Sequence, residues 1–157
     1  TKKKIFNNHS KDDIAIINMD NSEEMELTSD IVSTKEYFSC DNKTDCYYKD
    51  GFIYYKDGKY IDTSKIILKG NHNYQNIMCA ILATKVYGVS DEIIKDVVST
   101  FSGVEHRLEY VGNINGREVY NDSKSTNTES TVIALNSLIK ILFLLWVVLI
   151  GAILLKN

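Results

Sequence analysis

The chain has 157 residues, of which 25% are charged and 44% hydrophobic, a balance that excludes a wholly disordered protein and fits one ordinary domain. A formal net charge of −3 excludes the basic stripe of a nucleic-acid binder. Three cysteines, Cys40, Cys46 and Cys79, include no C-x-x-C pair, which excludes a disulfide framework and points to reduced thiols in the cytoplasm.

The opening "TKKKIF" is basic, but no apolar core or small-residue cleavage site follows it, so no secretory leader is expected. The first residue is not methionine, and the chain is expected to begin partway through a longer protein. "DDIAIINMD" (12–20) is an apolar run between acidic turns and reads as a buried strand. "KEYFSC" (35–40) reads as another. In "GFIYYKDGKYID" (51–62) two aromatic-rich runs flank Asp57-Gly58, which predicts a hairpin whose turn takes its positive φ from that pair. "SKIILKG" (64–70) predicts a further strand ending at glycine.

After Gly70 the period becomes helical. Ile77, Ala80, Ile81, Ala83 and Val86 share one face, and Gly88 supplies the C-terminal cap. Ser90 then caps a second amphipathic helix with acids in its first turn. "RLEYVGNINGREVYND" predicts a hairpin through Asn115-Gly116, and a helix follows from about Ser125 to Asn127. A strand that feeds a helix through a polar turn leaves backbone N–H groups able to meet an anion.

Three polar clusters carry the candidate chemistry. Asn71, His72, Asn73 and Asn76 stand at the first long helix. They serve either as caps or as paired amide donors and acceptors for the edge of a planar heterocycle. His106-Arg107 offers a planar cationic fork beside a histidine, and the three histidines show no metal-ligand spacing. Asp122-Ser123-Lys124 is either a simple turn or a ligand site outside the carboxyl end of a strand. No phosphate-cradling G-x-x-x-x-G-K-[ST] motif occurs, and no complete catalytic set is present.

The ordered combination of "LKGNHNYQN" (68–76), "FSGVEHRLEYV" (101–111) and "NGREVYNDSKSTNTESTVIAL" (115–135) resembles the D-glutamate-adding Mur ligases. Those enzymes show G-x-H-N-x-x-N, F-x-G-x-x-H-R-x-E and N-D-S-K-[AS]-T-N in this order. The resemblance runs from residue 1 to about 137 and implies an α/β fold. Residues 1–104 would be the C-terminal part of the central ATP-binding domain, with a hinge near Ser102 to Glu105. Residues 105–137 would begin the Rossmann-like, amino-acid-binding third domain.

It further implies a ligase of peptidoglycan synthesis using ATP and Mg2+, with UDP-N-acetylmuramoyl-L-alanine and D-glutamate as partners and no nucleic acid or membrane. Asn73 and Asn76 would lie at the adenine side, Arg107 and Asp122 at the ribose and nearby phosphates. Lys124 and Thr126 would face the reacting acyl phosphate. The phosphate loop, the UDP-binding domain and the residues that hold Mg2+ are absent from this sequence, so ligation by the chain alone is not expected. A sister Mur or folylpolyglutamate-type ligase, or a membrane-anchored binding module, is the alternative.

Residues 141–155 are almost purely apolar, yet shorter than the roughly 20 residues that span a bilayer. With no proline and abundant Ile, Lys, Asn and Tyr, the coding sequence reads as A/T-rich. Back-translation with such codons, shifted in phase, permits the G-G-x-D-R-G turn that the resemblance implies at this point. Residues 138–157 are therefore expected to be a frameshifted tail.

Overall fold

The unbroken apolar run Ile14–Ile17 suits a strand buried on both faces, the usual condition of a parallel sheet. In the computed structural model, which describes residues 2–137, that run forms β1 (Ile14–Asn18). It pairs in parallel with β2 (Thr34–Ser39), from Ile14 opposite Thr34 to Asn18 opposite Phe38. α1 (Ser22–Leu27) makes the crossover, and Asn21 caps it by accepting the Glu24 N–H. β3 (Cys46–Lys49) adds in parallel to β2, and β4 (Phe52–Tyr55) and β5 (Gly58–Asp62) continue antiparallel in the order β1-β2-β3-β4-β5. Backbone contacts divide the chain into two compact units, Thr1–Gly103 and Val104–Asn157.

In the first unit α2 (Asn71–Val86) and α3 (Asp91–Thr100) complete the core. Cys46, Ile53, Met78, Ile81 and Leu82 are each 0% exposed, and each large aliphatic side chain so buried contributes about 1.5–3 kcal/mol. The buried face of α2 is Tyr74, Ile77, Met78, Ile81 and Leu82, so it is rotated from the expected one. Ala80 and Val86 are exposed, because the sheet lies under the 74-78-82 ridge. Gly88, at φ +71°, ends α2 as expected: its N–H reaches the Lys85 carbonyl at 3.0 Å, and the Val89 N–H reaches Thr84 at 3.1 Å. Ser90 occupies the N-cap position of α3 in extended backbone, but its side chain makes no capping bond.

Two further expectations are corrected. The positive φ of the β4–β5 turn falls on Lys56 (53°), with Gly58 already the first residue of β5. Asp50 and Gly51, at φ 48° and 80°, instead form the two-residue turn between β3 and β4. Residues 64–70 do not form a strand. Asp62 accepts the Ser64 N–H, starting a short 3-10 turn at Thr63–Lys65, and only Ile66 of the run is driven fully into the core.

Glu36 is out of place on this sheet. Register sets it beside Ile16, on the face that carries Phe38 into the core, and its Oε2 is buried with no hydrogen-bond partner among the described residues. Burial, reinforced by repulsion from Asp45 and opposed by Lys56, pushes its carboxyl above the ordinary range. A raised acid costs stability while charged, and the cost disappears as pH falls through its titration. Glu36→Gln is expected to raise stability at neutral pH by about 1 kcal/mol. In paired thermal melts the advantage should shrink as pH falls into the ordinary carboxylate range.

The second unit begins with β6 (Glu109–Ile114) and β7 (Arg117–Asn121), antiparallel around Asn115 (φ 52°) and Gly116 (φ 80°), the turn that Asn-Gly predicts. α4 (Thr128–Ser137) follows. Asn127 caps it, its Oδ1 accepting the Ser130 N–H at 2.8 Å. The expected frameshifted tail, residues 138–157, lies outside the described residues. Among the described residues no helix is long and apolar enough to cross a membrane.

Candidate functional site

Parallel pairing brings the carboxyl ends of β1 and β2 together, where open α/β sheets bind ligands. Asp20, two residues beyond β1, organises that edge. It accepts the Ser39 hydroxyl, the Cys40 N–H at 2.7 Å and the Gln75 side-chain amide at 3.1 Å. Ser39, 0% exposed, in turn accepts the N–H groups of Asp41 at 3.0 Å and Asn42 at 2.7 Å. Burial pushes the Asp20 carboxyl up, but the donors from Ser39, Cys40 and Gln75 outweigh it and hold the group below the ordinary range. One acid therefore ties two strand ends to the first turns of α2. Sequence reading passed over Asp20 because its partners are 19, 20 and 55 positions away.

α2 starts at Gly70, whose φ of +97° suits glycine. Neither Asn71 nor Asn73 accepts a capping bond there. The Asn73 amide donates back to the Lys69 carbonyl at 2.8 Å. Asn76 is exposed, and no described side chain pairs with it. Cys40 lies beside this cluster, its thiol donating to the Asn71 carbonyl at 3.6 Å. Burial, followed by the charges of Asp20 and Asp41, pushes that thiol up to about 11, so it is protonated at neutral pH and not a nucleophile.

The second unit gathers the other candidates. Arg107 is flanked by two left-handed residues, His106 at φ 67° and Leu108 at φ 46°, an uncommon conformation for side chains of their size. Two acids hold this turn. Glu109 accepts the His106 N–H at 2.8 Å, and one oxygen of Asp122 accepts the Leu108 N–H at 3.0 Å. The Lys124 N–H reaches the His106 carbonyl at 3.0 Å, and the Asn121 amide meets the His106 ring at 2.8 Å. Arg107, Asp122 and Lys124 thus belong to one strained, hydrogen-bonded turn, with Thr126 two residues beyond Lys124. Arg107, Lys124 and Thr126 are exposed, and no described side chain engages them. Glu109 and Asn121, which fix the turn, were not among the sequence candidates, although the alternation of β6 and β7 marks them as a facing pair. The structure therefore brings together four of the six candidates, while Asn73 and Asn76 lie on α2 in the other unit.

A sheet that passes from parallel to antiparallel, with a crossover helix between its parallel strands, defines an open α/β fold. The family model for the Mur ligase middle domain matches residues 1–84. The chain belongs to the Mur ligase family. It is 43% identical over 138 residues to UDP-N-acetylmuramoylalanine–D-glutamate ligase of Geobacillus kaustophilus, covering 87% of this chain and 31% of that protein. The Staphylococcus aureus (strain JH9) enzyme of the same name is 43% identical over 137 residues, covering 87% of this chain and 30% of its own length. MurF from Acinetobacter baumannii superposes with a TM-score of 0.69 at 17% identity, over 83% of this chain and 30% of that one, and shows the shared fold. The chain thus spans less than a third of the length of these relatives.

Proposed function

We propose that the longer protein of which this chain is part joins D-glutamate to UDP-N-acetylmuramoyl-L-alanine in a reaction driven by ATP, in the cytoplasm, as a step of peptidoglycan synthesis. The supporting observation is the 43% identity to D-glutamate ligases, which extends over 87% of the chain. In this reading a substrate carboxylate oxygen bonds to the γ-phosphorus of ATP and ADP leaves. The amine of D-glutamate then bonds to the acyl carbon, phosphate leaves, and an amide remains.

In this reading the side chains of each unit supply chemistry that a nucleotide uses. Asn73 and Asn76 supply amides at the adenine side. Arg107 offers a free planar fork to phosphate or ribose. Asp122 has one oxygen committed to Leu108 and a second to accept from ribose hydroxyls. In this reading Lys124 offers a cation to the negative charge that grows during acyl transfer, and Thr126 orients the substrate. ATP phosphate charge is offset by Mg2+ when bound. Among the described residues no three His, Cys, Asp or Glu side chains gather as a metal site, so none is assigned to the ion. The chain by itself is not expected to ligate.

Incubation of the full-length protein with UDP-N-acetylmuramoyl-L-alanine, ATP and D-glutamate, followed by mass spectrometry, tests the reading. A UDP-linked product heavier by one glutamyl residue, with equimolar ADP, is expected. ADP release only with a folate-type or dipeptide-bearing substrate would assign a sister ligase instead.

A further inference from the structure

The turn around Arg107 depends on one amide whose orientation is fixed. The Asn121 Oδ1 accepts the Ser123 N–H at 3.2 Å, and its Nδ2 donates to the Glu109 carboxylate at 3.3 Å. A backbone N–H donates and an ionised carboxylate accepts, so these two partners leave no second way to place the amide. The same Nδ2 lies 2.8 Å from Nδ1 of the His106 ring. Nδ1 must therefore accept, which puts the ring proton on Nε2.

Glu109 does not compete for that nitrogen. Its Oε2 lies 3.5 Å from Nδ1, longer than the roughly 2.7–2.9 Å of a charge-assisted bond, and already accepts the His106 N–H at 2.8 Å. His106 is thus held at three points: its N–H by Glu109, its ring by Asn121, and its carbonyl by the Lys124 N–H at 3.0 Å. These holds keep it at φ 67°, an uncommon backbone state for any residue but glycine.

We infer that Asn121 is a positioning residue for nucleotide binding. It fixes His106 as the neutral Nε2–H tautomer, and the ring so held sets the turn from which Arg107 meets phosphate or ribose. This inference rests on the assignment of Arg107 to ATP under the proposed function. A ring that took a proton on Nδ1 would face the Asn121 NH2 group donor to donor, lose that bond and release one of the three holds on the turn.

Histidine-selective 15N spectroscopy of the full-length protein without nucleotide reads the ring directly, with the His106 signal assigned through His106→Gln. Above the ordinary histidine range of pH, an unprotonated Nδ1 and a protonated Nε2 are expected. Asn121→Asp keeps the acceptor for Ser123 but puts an oxygen in place of the NH2 group, so Nδ1 should gain a proton. Calorimetry with ATP, run below the onset of melting of each variant, is expected to give a Kd about tenfold weaker for both Asn121→Asp and Asn121→Ala, roughly the worth of one hydrogen bond. A loss confined to Asn121→Asp would be repulsion between two anions and would overturn the inference. So would a wild-type ring protonated on Nδ1, or unaltered ATP affinity in both variants. Absence of ATP binding by the unmodified protein would instead remove the proposed function, while the ring measurement would still decide what Asn121 does to His106.

Discussion

Lys124→Ala in the full-length ligase is expected to lower kcat by about 10²–10³-fold, the range seen when a preorganised charge-stabilising donor is removed from an active site. The side chain is exposed, and no described side chain pairs with it. Its backbone N–H, which the substitution retains, makes the local bond to His106. The thermal midpoint should therefore hold while the rate falls. Lys124→Arg keeps the charge but spreads it over a larger planar group, and is expected to recover part of the rate. Steady-state ADP release with melting curves for each variant checks both points. A rate loss that tracked a loss of fold would make Lys124 structural, and an unchanged rate would remove it from the reacting centre.

The second large effect concerns stability. Asp20→Ala is expected to cost about 2–4 kcal/mol, since hydrogen bonds to a charged group contribute about 1.5–3 kcal/mol each and partial exposure discounts their sum. The substitution strips the acceptor from the Ser39 hydroxyl, the Cys40 N–H and the Gln75 amide. The carboxyl is held below its ordinary range, so its contribution is complete above that range and is lost as pH falls through the lowered folded value. Denaturant unfolding from neutral to acidic pH should show the wild-type chain losing stability more steeply than Asp20→Asn. Parallel curves would mean that Asp20 is not charged in a hydrogen-bonded network. Glu36 acts in the opposite sense, so each acid has to be read from its own variant.

Local chemistry was legible where it decided the structure locally. Asn115-Gly116 needs two positive φ values, and Gly88 ends a helix by adopting one, so both were readable from a few neighbours. The same rule misjudged the second of the two repeats of "KDG", while Asp50-Gly51 in the first obeys it. Both contain Asp-Gly, but pairing places Tyr55 opposite Gly58, so the second turn closes one residue earlier and strains Lys56. Residues 64–70 read as a strand from composition, yet Asp62 accepts the Ser64 N–H and starts a 3-10 turn at Thr63–Lys65 instead, with only Ile66 fully buried. Asn73 stands in a capping neighbourhood but donates to Lys69, because Gly70 begins α2 before it. At the site, the cluster of Arg107, Asp122 and Lys124 was visible in the motif, since β6 and β7 return residues 107 and 122 to one place. The acids and amide that hold it, and the whole Asp20 network, depend on contacts between distant positions that no local pattern encodes.

The central claim, that this chain is part of a D-glutamate-adding ligase, meets its most direct test in stereochemistry. The measurement is kcat/KM of the full-length protein for D-glutamate and L-glutamate, with UDP-N-acetylmuramoyl-L-alanine and ATP saturating. The account predicts turnover with D-glutamate and a preference over the L form of about 10²-fold or more, as expected when polar groups are fixed for one arrangement of amine and carboxylates. Equal use of both forms, or preference for L-glutamate, would contradict it.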